Sequence, residues 1–67
     1  MPKIISNLKK YRVLADLTQE DLAKKLDVSR QTVNAIEQAK YQPSLYLAYK
    51  CSKLFNVQLT DLFLFED

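Results

Sequence analysis

Residues 18–37, T-Q-E-D-L-A-K-K-L-D-V-S-R-Q-T-V-N-A-I-E, constrain the fold more than any other stretch of the chain. They read as two short helices joined by a tight turn. Thr18 is a favoured N-cap, Gln19 and Glu20 fill the first turn, and Asp21 stands three residues after the cap. The cap oxygen can satisfy an orphan amide, and the acids suit the positive end of the helix dipole. Leu22, Ala23 and Leu26 then form a narrow apolar stripe, with Lys24 and Lys25 facing away. Ala23 is small, so a second helix can cross close to it. Asp27-Val28-Ser29 is the turn: Val28 tucks between the helices and Ser29 caps the next one. That second helix, expected from Arg30 to Gln38, puts Val33 and Ile36 on its inner face.

Arg30, Gln31, Thr32 and Asn34 are left outside, on the N-terminal half of the second helix. Arginine can bond a guanine bidentately, and glutamine or asparagine can do the same for adenine. A helix-turn-helix protein presents such residues to base edges in the major groove. The plain alternative is a solvated polar face, which most short helices carry. Joined to the capped first helix, Ala23, the turn and the Val33–Ile36 face, the outer set points to recognition of double-stranded DNA.

At these residues the chain resembles the Cro/cI-type (xenobiotic-response-element) helix-turn-helix family of transcriptional regulators, its small stand-alone members above all. The likeness runs through L-K-K-Y-R at residues 8–12, L-T-Q-E-D-L-A at 17–23 and V-S-R-Q-T-V-N-A-I-E at 28–37. It continues through P-S-L at 43–45 and L-T-D-L-F at 59–63. Each motif alone is weak; together they are specific. The resemblance implies an all-α fold, a five-helix Cro/cI-like bundle, binding as a homodimer, and regulation of transcription. It also implies an ion pair between Arg12 and Glu37 that ties the first helix to the third. Two positions depart from the family pattern. Asp27 stands where the inter-helix turn usually has glycine, and Ala39 where glycine or asparagine usually follows the second helix. A left-handed alanine costs about 1–2 kcal/mol, so either that loop takes another path or it is strained.

A chain of 67 residues makes one small domain, taken here as residues 1–67 with the helix-turn-helix at 18–38. Its core is modest, and such a domain is marginal unless well packed or oligomeric. An apolar content of 48% suits a globular fold. Cys51 is the one cysteine and cannot form an internal disulfide; among Leu47, Ala48 and Phe55 it reads as a buried thiol. No apolar run approaches the ~20 residues of a membrane span, and nothing resembles a signal peptide, so a cytoplasmic location is expected. There is no histidine and no glycine, which removes histidine-based catalysis, zinc ligation and glycine phosphate loops. No metal, cofactor or small-molecule ligand is expected. Residues 1–55 hold all ten Lys and Arg with five acids, net +5, while residues 56–67 are net −3. A basic body with an acidic end fits a DNA face opposite a non-DNA end, although an ordinary mixed surface gives similar totals.

Taken in order, Met1 to Ser6 reads as a short extended segment because of β-branched Ile4-Ile5. The first helix should run from Ser6 or Asn7 to Ala15, with Leu8, Tyr11 or Arg12, and Ala15 on one face. Leu17 is the hydrophobic residue before the Thr18 cap. In the loop at residues 39–43, Lys40 and Tyr41 are candidate phosphate contacts, as are Gln19 and Ser29 at helix N-termini. For Tyr41, packing over the loop is the equal alternative. Pro43-Ser44 starts a fourth helix, Leu45 to Phe55, with Leu47, Ala48, Cys51 and Phe55 inward and Tyr46, Tyr49 and Lys50 outward. Asn56 stops it in the left-handed region. Val57 and Leu59 return to the core, and Thr60 caps a fifth helix containing Asp61, Leu62 and Phe63.

The chain then carries Leu62-Phe63-Leu64-Phe65, four apolar residues in a row. A monomer this small cannot bury both faces of such a run, and exposed apolar patches mark interaction sites. Leu64 and Phe65, paired as a short two-stranded sheet with Lys3 to Ile5, are expected in a homodimer interface. Leu54 and Leu62 are further candidates, making residues 57–67 the dimer contact; the alternative is that the run caps the monomer core. The function expected is a homodimeric repressor on a near-palindromic operator. Its rivals are an antitoxin or other protein-interaction module on the same fold, and an enzyme, for which no nucleophile, base and oxyanion site can be assembled.

Overall fold

A computed structural model describes residues 3–66. Met1 and Pro2, expected in the extended segment, and Asp67, counted in the acidic end, lie outside the described residues. The order is β1 (Lys3–Ser6), α1 (Leu8–Leu14), α2 (Gln19–Leu26), α3 (Arg30–Glu37), α4 (Leu45–Phe55), α5 (Leu59–Leu62) and β2 (Phe63–Glu66). The five helices match expectation, but the fold is not purely α. Strands β1 and β2 pair antiparallel, with Ile4 opposite Phe65, Ile5 opposite Leu64 and Ser6 opposite Phe63. The expected pairing of the two chain ends is therefore a real element of the architecture.

The helix starts follow from their caps. Thr18 Oγ1 accepts from the Asp21 amide at 3.0 Å while the Asp21 carboxylate accepts from the Thr18 amide at 3.0 Å. Ser29 and Ser44 accept from the amides of Thr32 and Leu47, each at 3.1 Å. Such caps satisfy donors that have no partner within the helix. The expected cap of the last helix is corrected. Gln58, not Thr60, is the N-cap, because Asp61 reaches back to the Gln58 amide at 2.9 Å. Thr60 lies within α5.

The helix ends share one geometry and use no glycine. Asp16, Asp27, Ala39 and Asn56 follow α1 to α4 with φ between 54° and 59°. The next amide in each case returns to a carbonyl five residues back: Leu17 to Arg12, Val28 to Ala23, Lys40 to Ala35 and Val57 to Ser52, at 2.9–3.1 Å. This closure satisfies orphan carbonyls at each helix end. Asp and Asn tolerate the left-handed region; alanine does not. The loop after α3 thus turns through the left-handed region, with strain at Ala39. Ala39→Gly is expected to raise the unfolding free energy by roughly 1 kcal/mol, read as a higher urea midpoint. An unchanged or lower midpoint would show that Ala39 stores no strain.

The core takes Leu8 from α1, Leu22, Ala23 and Leu26 from α2, and Val33 and Ile36 from α3. It adds Leu47, Ala48 and Cys51 from α4, Leu62 from α5 and Phe63 from β2. Burial pushes the Cys51 thiol up to about 11, against a downward pull from Lys50. Ala15 and Leu59, expected inside, are exposed. Ala15 is already the C-cap of α1, past the regular helix, so the i+7 extrapolation overshoots. Lys50 is half-buried rather than outward: its Nζ donates to the Leu26 carbonyl at 2.7 Å and closes the end of α2. Asn7 ties the ends of the chain together. Its amide reaches the Leu62 carbonyl at 2.8 Å and its side chain the Asp61 carbonyl at 3.1 Å. Among the described residues no helix is long and apolar enough to cross a membrane.

Candidate nucleic-acid interface

Helix α3 turns Val33 and Ile36 into the core and packs chiefly on α2. Its other side is then necessarily outward. Arg30, Gln31 and Asn34 are exposed there, and Thr32 is half-buried. By helical spacing Gln31, Ala35 and Gln38 fall on one line. Gln38, just past α3, is exposed and donates to Asn34 Oδ1 at 3.2 Å. The sequence reading ended the candidate face at Asn34; the i, i+4, i+7 line from Gln31 was the signal that extends it.

The phosphate candidates separate into three situations. The Ser29 hydroxyl is engaged by the Thr32 amide and lies 2.9 Å from the Thr32 hydroxyl, so it is first a cap. Lys40 and Tyr41 are exposed in the loop after α3, Tyr41 at 48%, which disfavours a packed tyrosine. Gln19 is half-buried, with its side-chain amide turned onto α3 rather than outward. An open cleft lined by Arg12, Thr18, Gln19, Glu20 and Arg30 brings the start of α2 beside the start of α3. In its first turn, the Thr18 amide, and then the Thr18 hydroxyl, hold the Asp21 carboxyl below its usual value.

Behind this face sits the ion pair that the resemblance implied. Arg12 Nε and Nη2 donate to Glu37 Oε2 and Oε1, and Nη1 donates to the Leu17 carbonyl at 2.8 Å. The side chains are only 12% and 4% exposed. This is a two-pronged, largely dry pair joining α1 to α3, not a loose surface contact.

The dimer candidates do not all share one place. Leu62 is fully buried, a correction to its expected role at an interface. The last residue of α5 faces the core, and the chain changes to strand directly after it. Leu64 is 42% exposed beside Ile5, on the face of the sheet turned away from Phe63. Phe65 is 67% exposed and lines an apolar groove with Ile4, Pro43, Leu45 and Leu59. Leu54 is 38% exposed and does not line that groove.

A family model described as helix-turn-helix matches residues 8–62. The chain is 61% identical over 62 residues to an uncharacterized HTH-type transcriptional regulator of Methanocaldococcus jannaschii, covering 92% of this chain and 94% of the relative. It is 45% identical to an uncharacterized HTH-type transcriptional regulator of Archaeoglobus fulgidus, over 92% of this chain and 89% of the relative. The crystal structure of a candidate DNA-binding protein from Bacteroides fragilis matches with a TM-score of 0.79 at 27% identity, covering 90% of this chain and 97% of that one. That of a hypothetical transcription factor from Neisseria matches with a TM-score of 0.75 at 28% identity, over 87% of this chain and 67% of that one.

Proposed function

The chain belongs to the Cro/cI-type helix-turn-helix family, and from that premise we propose that it is a sequence-specific, double-stranded DNA-binding transcriptional regulator. The observation that carries this reading is the two-sidedness of α3. Val33 and Ile36 anchor the helix in the core, while Arg30, Gln31, Asn34 and Gln38 stand exposed on its other side. An anchored helix with donors and acceptors outward suits the major groove. Lys40 and Tyr41 then lie along the phosphate backbone, where contacts set register and carry no sequence information. Gln19, Ser29 and Thr32 hold α3 in place.

In this proposal the protein acts as a homodimer on a near-palindromic operator and represses by occupying it. A two-fold dimer presents two α3 helices about 34–36 Å apart, one turn of the duplex. The dimer contact is assigned to Leu64 and Phe65; Leu62 drops out because the core already holds it, and Leu54 stands apart from the groove that Phe65 lines. Selection of bound duplexes from a random pool tests both parts. An enriched near-palindrome supports a dimeric reader, and no enrichment at moderate salt defeats the proposal. Against the selected operator, Arg30→Ala is expected to cost about 1–3 kcal/mol and to relax preference at one base position per half-site. Equal weakening on all sequences would reassign Arg30 to the phosphates.

The exposed apolar groove at Leu45, Leu59 and Phe65 favours one second reading, an antitoxin-like module that binds a different protein. Stoichiometric co-purification of a second protein, with no DNA sequence enriched, would establish it.

A further inference from the structure

A chain of hydrogen bonds runs from α1 to the outer side of α3, and its direction is set at one end. Arg12 has donors and no acceptor, and both oxygens of the buried Glu37 carboxylate accept from it. That carboxylate has no hydrogen to give. The Gln19 amide atom 3.1 Å from Glu37 Oε1 is therefore its nitrogen, not its carbonyl oxygen. The same nitrogen lies 3.1 Å from the Asn34 side chain. Its two hydrogens go to Glu37 and to Asn34, so Asn34 must turn Oδ1 towards it. Gln38 Nε2 reaches the same oxygen at 3.2 Å. Amide orientations are ordinarily ambiguous from heavy atoms alone; here the Arg12–Glu37 pair resolves them.

A carbonyl oxygen offers two lone pairs, and both are engaged on Asn34. What remains to meet DNA is Nδ2, with donors and no acceptor. The bidentate adenine contact needs Oδ1 for the N6 amino group and Nδ2 for N7, and that contact is closed. We infer that Asn34 is a donor-only reader of the major groove, favouring guanine, whose N7 and O6 both accept, or thymine, whose O4 accepts, over adenine, whose accepting N7 sits beside the N6 donor, and that Gln19 is the positioning residue imposing this choice. The inference rests on the DNA-binding reading proposed above. It replaces the expectation of an adenine contact at Asn34. It also removes the Gln19 side chain from the phosphate contacts, because a phosphate oxygen accepts and the Gln19 amide has no hydrogen left to give. The backbone amides in the first turn of α2 keep that role.

Two measurements on the full chain test this, one of them without DNA. In side-chain amide spectra, the Gln19 Nε2 hydrogens are expected to exchange with water at least tenfold more slowly than the Asn34 Nδ2 hydrogens. Equal rates would overturn the relay whatever the DNA result. Random-pool selection is then run with the wild type, Asn34→Ala, Gln19→Met and Gln19→Lys. The position that loses its preference in Asn34→Ala should carry guanine or thymine in the wild type. At that position Gln19→Met, which has no donor, should raise adenine at least tenfold relative to guanine. Gln19→Lys, which has only donors, should keep the wild-type preference. Adenine at that position in the wild type, or a preference indifferent to Asn34→Ala or to Gln19→Met, overturns the inference. No enriched sequence for the wild type overturns the DNA-binding reading and the base preference with it, and slow Gln19 exchange would then mark the relay as purely structural.

Discussion

Arg12→Ala is expected to destabilise the fold by about 3–5 kcal/mol, the usual effect of removing one partner from a buried ion pair. The reason is what stays behind. Glu37 has a side chain 4% exposed, and without Arg12 its carboxylate keeps only the Gln19 amide. A chain of 67 residues has a total stability of roughly 3–10 kcal/mol at typical values per residue. The variant should therefore be largely unfolded near room temperature, seen as loss of helical circular dichroism and a collapsed urea midpoint. The double variant Arg12→Met/Glu37→Leu removes both charges and should lose far less, since no buried charge is left unpaired. A loss below about 1 kcal/mol for Arg12→Ala would place the pair among exposed contacts instead.

Phe65→Lys is expected to leave the monomer folded and to weaken operator binding by about 10²–10⁴-fold, the gain that linking two half-site contacts supplies. Phe65 is 67% exposed, so little core packing is lost. Its apolar surroundings, with Leu45 81% exposed and Leu59 38% exposed, offer a lysine no partner once a second subunit covers them. Sedimentation should report a monomer, circular dichroism should keep the wild-type helical signal, and the melting temperature should fall only by what dimerisation contributed. A variant that remains dimeric would move the interface elsewhere on the surface, with Leu54 the next candidate. A wild type that sediments as a monomer even when bound to DNA would remove the homodimer from the proposal.

Much of the scaffold was legible because its signals are local. Thr18, Ser29 and Ser44 are caps whose side chains bond amides three residues on. The stripes Leu22–Ala23–Leu26 and Val33–Ile36 depend only on helical period, and all five residues are buried. The misreadings fall where period changes or where an element is too short to have one. From sequence, the run Leu62–Phe65 is expected to stay helical through Phe63 and to become a strand only at Leu64; Phe63 instead belongs to β2. The chain ends a helix on Leu62 and starts a strand on Phe63, so two adjacent residues both face inward. Thr60 has the chemistry of a cap, but Asp61 reaches the Gln58 amide first. Ala39 carries no sign of a left-handed turn, because the closing bond from Lys40 to Ala35 imposes it against the residue's own preference.

By itself, then, the sequence determined where α2, α3 and α4 begin, which faces α2 and α3 bury and that Arg30, Gln31 and Asn34 are left outward. Each of these follows from hydrogen bonds and periodicity within a few residues. The tertiary structure alone decided how those outward groups are oriented. Gln19 lies 15 residues from Asn34, 18 from Glu37 and, through Glu37, answers to a charge on α1. An asparagine in a sequence can donate or accept. Only the packing of α1, α2 and α3, which brings an acceptor-only carboxylate against a glutamine amide, leaves Asn34 with hydrogens alone to offer.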